Sequence, residues 1–111
     1  MPDVILTTTP EIPGREIASV IDIVTAESVQ GMNVIKDLFA GVTDFFGGRS
    51  TTTENVLIEA RNDCLRELRQ RAAAIGADAV VGVDLDYSEF QGGGGMLFLV
   101  ASGTAVRLKP L

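Results

Sequence analysis

The chain predicts an α+β fold, two layers thick, in which one long helix packs on a small antiparallel sheet within a single domain spanning 1–111. Three observations carry this. A helical period runs from Thr51 to Ile75 and stops at Gly76, a β-rich run follows at once from Val80 to Tyr87, and the glycines of Gln91-Gly92-Gly93-Gly94-Gly95 join that run to a second one from Met96 to Leu108. The core order is therefore β-α-β-β, with an extra N-terminal strand and a first short helix ahead of the long one.

Taken from the N-terminus, Val4-Ile5-Leu6-Thr7-Thr8-Thr9 is rich in β-branched residues and ends at Pro10, which predicts a short strand. Ile12-Pro13-Gly14 is a turn signal. Glu16 to Ala26 alternates Ile17, Ser19, Ile21, Ile23 and Thr25 with Ala18, Val20, Asp22 and Val24, so it is apolar on both faces, and Gln30-Gly31 interrupts it. Asn33 can cap a helix in which Val34, Ile35, Leu38, Phe39, Val42, Phe45 and Phe46 keep a helical period. Gly47-Gly48 breaks it. Thr51 and Glu54 then have capping-box spacing, and Leu57, Cys64, Leu65, Leu68, Ala72 and Ile75 form one apolar stripe. Arg61, Asp63, Arg66, Glu67, Arg69 and Arg71 make the solvated back, and Gly76 suits the left-handed position that ends a helix.

Bulk properties exclude several classes. A net charge of −6 without a basic run excludes a nucleic-acid surface, because phosphate binding needs clustered Lys and Arg. Met1-Pro2-Asp3 has no basic n-region, and the apolar run from Met96 to Ala101 is far short of the roughly 20 residues that span a bilayer. No membrane association is expected, and the expected location is the cytoplasm. The single cysteine cannot form an intramolecular disulfide, which suits a reducing compartment. With no histidine, the commonest general base and every Ser/His/Asp or Cys/His arrangement are absent, so a non-enzymatic protein without a cofactor is expected.

The last strand says most about assembly. Met96, Phe98, Val100, Thr104 and Val106 alternate with Leu97, Leu99, Ala101 and Ala105, so neither face is polar. One helix covers one face only. Each large apolar side chain left in water forfeits about 1.5–3 kcal/mol relative to burial, which predicts self-association unless the first helix folds over the second face.

Thr7-Thr8-Thr9, Ile12-Pro13-Gly14, Phe39-Ala40-Gly41, Phe46-Gly47-Gly48-Arg49-Ser50, the junction from Ile75 to Val83 and the closing Ala101-Ser102-Gly103-Thr104-Ala105-Val106 occur in an order that resembles the YbjQ-like family. The likeness covers nearly the whole chain. It implies a dodecin-like subunit that closes into a homo-oligomeric ring, a pentamer, from a family of uncharacterised bacterial and archaeal proteins carrying a heavy-metal-binding label. It supplies no reaction.

The residues themselves do not support that label, since soft metals want thiolate or imidazole ligands and this chain has one cysteine and no histidine. Cys64 lies on the helix stripe, where a thiol acts as a small apolar core residue. Two binding candidates stand beside the ring-forming scaffold reading. Asp84 and Asp86 project from one strand face with Glu89 a little further along, a set of oxygen ligands for a hard cation, against the plain reading of solvated acids near a hairpin tip. Gly47, Gly48, Arg49, Ser50 and Thr51 combine glycines, a helix start and a guanidinium, which suits a small anion, against the plain reading of a glycine hinge with a threonine cap. Its likeness to a phosphate-binding P-loop fails, because Arg stands for Lys and a helix precedes it.

Overall fold

In the computed structural model, the described residues are 3–31, 51–90 and 96–111. They form strands β1 (Ile5–Leu6), β2 (Ile17–Gly31), β3 (Ala79–Phe90) and β4 (Met96–Leu108), with helix α1 (Thr51–Ala74) between β2 and β3. The helix lies on one face of a four-stranded sheet of order β1-β3-β4-β2. β4 is central and antiparallel to both β3 and β2. The N-terminal strand joins the far edge parallel to β3, pairing Ile5 with Ala79 and Leu6 with Val80, so the sheet is mixed where the sequence predicts an antiparallel one. The expected first helix, Val34 to Phe46, and the glycine turn at 91–95 lie outside the described residues.

The helix packs because its stripe is small as well as apolar. Ala60, Cys64, Leu68 and Ala72 are buried against Val24, Ala26, Leu99, Ala101 and Ala105 of the sheet, so the helix backbone can come close to the strands. Ala60 extends the predicted stripe. Ile75 leaves it and is 41% exposed, since the helix has already ended and the residue sits in the turn. That end has the Schellman pattern: the N–H of Ala77 donates to Ala72 O and that of Gly76 to Ala73 O, each at 3.0 Å, with Gly76 at φ +84°. Arginines on the back of the helix fasten its flanks, Arg69 donating from Nε to Val4 O at 3.0 Å and Arg71 from Nη1 to Thr25 O at 2.7 Å.

Two irregularities set the faces of the sheet. In β2 the register slips between Ile17 and Ser19 and again between Val20 and Asp22, which brings Val20 and Ile23 onto one face where simple alternation separates them. In β3 the slip lies between Val81 and Asp84, with Gly82 at φ +62°. After these bulges one face carries Val24, Ala26, Val80, Val83, Leu99, Ala101 and Ala105 under the helix. Beneath the other face, Ala79, Val81, Val106 and Leu108 form a second, smaller core closed by Ile12 and Ile17. Further along, none of the described residues covers that outer face. Val20 is 67% exposed, Ile23 72%, and Val29 46%.

Candidate functional site

Asp84 and Asp86 stand on the outer face of the sheet, directly across from Ser102 and Val100 of β4. A hydrogen bond between the two carboxyl groups, and then the charge of Asp84, hold Asp86 above the usual carboxylate range. Glu89 pairs with Leu97 in the register, an odd position out of step with the two aspartates, and its side chain lies outside the described set. Two exposed carboxyl groups can attract a hard cation but leave most of its coordination to water. Among the described residues no three Asp, Glu, Cys or His side chains come together as metal ligands.

Cys64 is fully buried, with its sulfur 3.3 Å from Ala26 O and 3.7 Å from Leu99 O. Burial pushes the thiol up, opposed by a backbone hydrogen bond from Ala101. The group is a protonated core filler. A soft-metal site would need this sulfur ionised, reachable and joined by further soft donors, so the donor chemistry of the described residues does not fit a heavy metal.

The glycine-rich candidate cannot be placed in the same way. Gly47, Gly48, Arg49 and Ser50 lie outside the described residues, and of Thr51 only the backbone is described, as the first residue of the helix.

A third grouping was not legible in advance. Asp78, just past the helix end, is a junction: its N–H donates to Val106 O at 2.9 Å, its carbonyl accepts from Ile5 N–H at 3.2 Å, and its Oδ2 accepts the N–H of Leu108 at 2.9 Å. These bonds bring both ends of the chain to one place. Arg15 follows the turn at Gly14, whose φ of +80° favours glycine, and its N–H closes that turn on Ile12 O at 3.0 Å. The guanidinium reaches the C-terminal segment, donating from Nη2 to Lys109 O at 3.3 Å. Beside it opens a cleft of about 330 Å³ bounded by Asp3, Ile5, Arg15, Asp78, Leu108 and Pro110. The available signal was that Arg15 is the first basic residue of the chain, with none following until Lys36.

Comparison with known proteins places these features in a wider set. Residues 4–109 match the model of the YbjQ family, described as "Putative heavy-metal-binding". The chain is 60% identical over 105 residues to a UPF0145 protein of Pseudomonas fluorescens, covering 95% of this chain and 99% of the relative. It is 52% identical over 102 residues to a UPF0145 protein of Clostridium botulinum, covering 92% and 96%. A crystal structure of a protein of unknown function from the DUF74 family of Pediococcus pentosaceus superposes with a TM-score of 0.63 at 18% identity, over 96% of this chain and 98% of that one. At that identity the likeness speaks for the fold alone.

Proposed function

The chain belongs to the YbjQ-like family, and from that premise we propose that it is a non-enzymatic binding or scaffold protein whose subunits complete one another's interiors in a closed ring, a pentamer. The observation that carries this is the open outer face. Val20, Ile23, Val29 and Val100 are more than a third exposed on it, and half-buried Phe98 lies directly across from Val29. Covering such side chains is worth about 1.5–3 kcal/mol each, enough in sum to drive association.

The edges support the same reading. β2 is a long edge strand, and β1 pairs with only the first residues of β3. Long open edges invite pairing with another chain. Two different edges on one sheet suit head-to-tail contact, which closes into a ring when the rotation per subunit divides the circle. The proposed setting is the cytoplasm, whose reducing conditions suit a chain with one buried, unpaired thiol.

Native mass spectrometry of the untreated protein tests the proposal. A mass five times that of the 11.7 kDa chain is expected. A single-chain mass at micromolar concentration would remove it.

A further inference from the structure

Among the described residues Arg15 is a half-buried cation that makes no ion pair, although Asp3 and Asp78 lie across the same cleft. Among the described residues its guanidinium has one partner, the neutral Lys109 carbonyl at 3.3 Å, while Nε is enclosed by the protein and makes no hydrogen bond. Elsewhere Lys109 meets Glu16 at 3.1 Å, and Arg71 meets Glu67 at 2.7 Å and Glu27 at 3.3 Å, while Arg69, which like Arg15 is given only a backbone carbonyl, is exposed to water. A partly desolvated guanidinium without an anion is unfavourable, and folded proteins seldom leave such groups unmatched.

What lies next to it is space of useful size. The cleft of about 330 Å³ is at the lower end of the range for small-molecule sites, which is roughly 300–1,000 Å³. Its walls divide by chemistry. Ile5, Leu108 and Pro110 are apolar, Arg15 offers a planar set of donors, and Asp3 and Asp78 offer carboxylates. Asp78 is held in place by the Leu108 N–H on Oδ2, which leaves Oδ1 free of that bond. The second cleft beside Arg15 is less suited, because Glu16 in its wall is already taken by Lys109.

We propose that the Arg15 cleft binds a small zwitterion of amino-acid size, its carboxylate on the Arg15 guanidinium and its ammonium group on the Asp3 and Asp78 carboxylates. The alternatives each leave a mismatch. A multiply charged anion such as phosphate would meet two carboxylates in the same wall on a chain of net charge −6, a simple cation would meet Arg15, and an uncharged molecule would leave the guanidinium unmatched. The guanidinium charge is delocalised, so a carboxylate on the Nη atoms neutralises the group even with Nε enclosed. This site does not depend on the ring, since every residue in it comes from one chain.

Isothermal titration calorimetry of the full chain with L-alanine, acetate, methylammonium and inorganic phosphate is the test. L-alanine should give a saturable heat with one site per subunit and bind at least tenfold more tightly than acetate, methylammonium or phosphate. Arg15→Gln should abolish the alanine heat. Asp78→Asn keeps an acceptor for the Leu108 N–H, and with Asp3→Asn it should weaken alanine binding while strengthening acetate binding. This sign reversal is one that a loss of folding would not produce, so the test stands even if Arg15→Gln is unstable. Silence with alanine, tighter binding of phosphate than of alanine, or unchanged alanine affinity in the double Asp→Asn variant would each overturn the proposal.

Discussion

Gly103 lies so close beneath Val80 that a Cβ on it would stand 2.5 Å from Val80 Cγ1, and 3.2 Å from the carbonyl oxygen of Val81. The missing side chain lets β4 pass under the bulge where β3 slips register. Gly103→Ala should therefore destabilise the subunit by about 1–3 kcal/mol, the usual consequence of overpacking a core. Urea denaturation followed by circular dichroism reads this as a lower midpoint with an unchanged slope. An unaltered midpoint would mean that the strands separate easily here.

The enclosed Cys64 thiol predicts slow chemistry. Its upward shift keeps it protonated at neutral pH, and reagent reaches it only through opening of the helix-sheet contact. Every 1.4 kcal/mol or so of opening free energy is about a tenfold loss of rate, so labelling of the native protein by a disulfide reagent should be at least about a hundredfold slower than in urea. Fast native labelling that a soft metal suppresses would instead restore the family's metal-binding label.

The aspartate pair makes a pH prediction. Because Asp84 holds Asp86 above its ordinary range, the folded protein keeps a proton that the unfolded chain has already released. The pair's contribution to stability is thus fully present below the unfolded value and declines as pH rises through the folded one. Asp84→Asn should return the Asp86 titration, followed by carbon-13 NMR, toward an ordinary aspartate curve. It should also flatten the pH dependence of stability in that window. An Asp86 curve that does not move would mean that the two carboxyl groups act separately.

Exposed Ile23 and Val20 predict the behaviour of the assembly. Ile23→Lys combined with Val20→Lys places charge on the open outer face without touching the helix-facing core. Light scattering should report a smaller particle with an unchanged far-ultraviolet spectrum, since hydrophobic contact between subunits is lost and two like charges are added. A particle of wild-type mass would show that this end of β2 faces solvent in the assembly.

Leu68 tests the fold itself. It is fully buried in the centre of the helix stripe, so Leu68→Asp would force a carboxylate into an apolar core at a cost of several kcal/mol and should prevent folding. A native melting temperature in that variant would contradict the helix packing.

Much of this architecture was written in local pattern. The helix from Thr51, its end at Gly76, the hairpin partners β3 and β4 and the alternating faces of β4 all follow from periodicity and turn chemistry, which need only near neighbours. Asp84 and Asp86 share a face for the same reason, being two residues apart on a strand. The bulges did not show in the pattern, because Ile21 and Gly82 look like ordinary members of apolar runs. Where β2 slips, Val20 and Ile23 come onto one face, although strict alternation assigns them to opposite faces. The parallel pairing of β1 was equally hidden, as nothing within Val4 to Thr9 says which strand it will meet.

What the sequence alone determined is therefore the set of elements, their apolar sides and the shortage of metal-binding side chains. Tertiary structure decided which residues distant in the chain share a site: it brought Asp3, Arg15, Asp78 and Leu108 around one cleft and, among the described residues, gave Arg15 no ion pair. The physical reason is that backbone periodicity and turn preference act over a few residues. Charge pairing and cavity shape depend on through-space distance, which is set only once the sheet has formed.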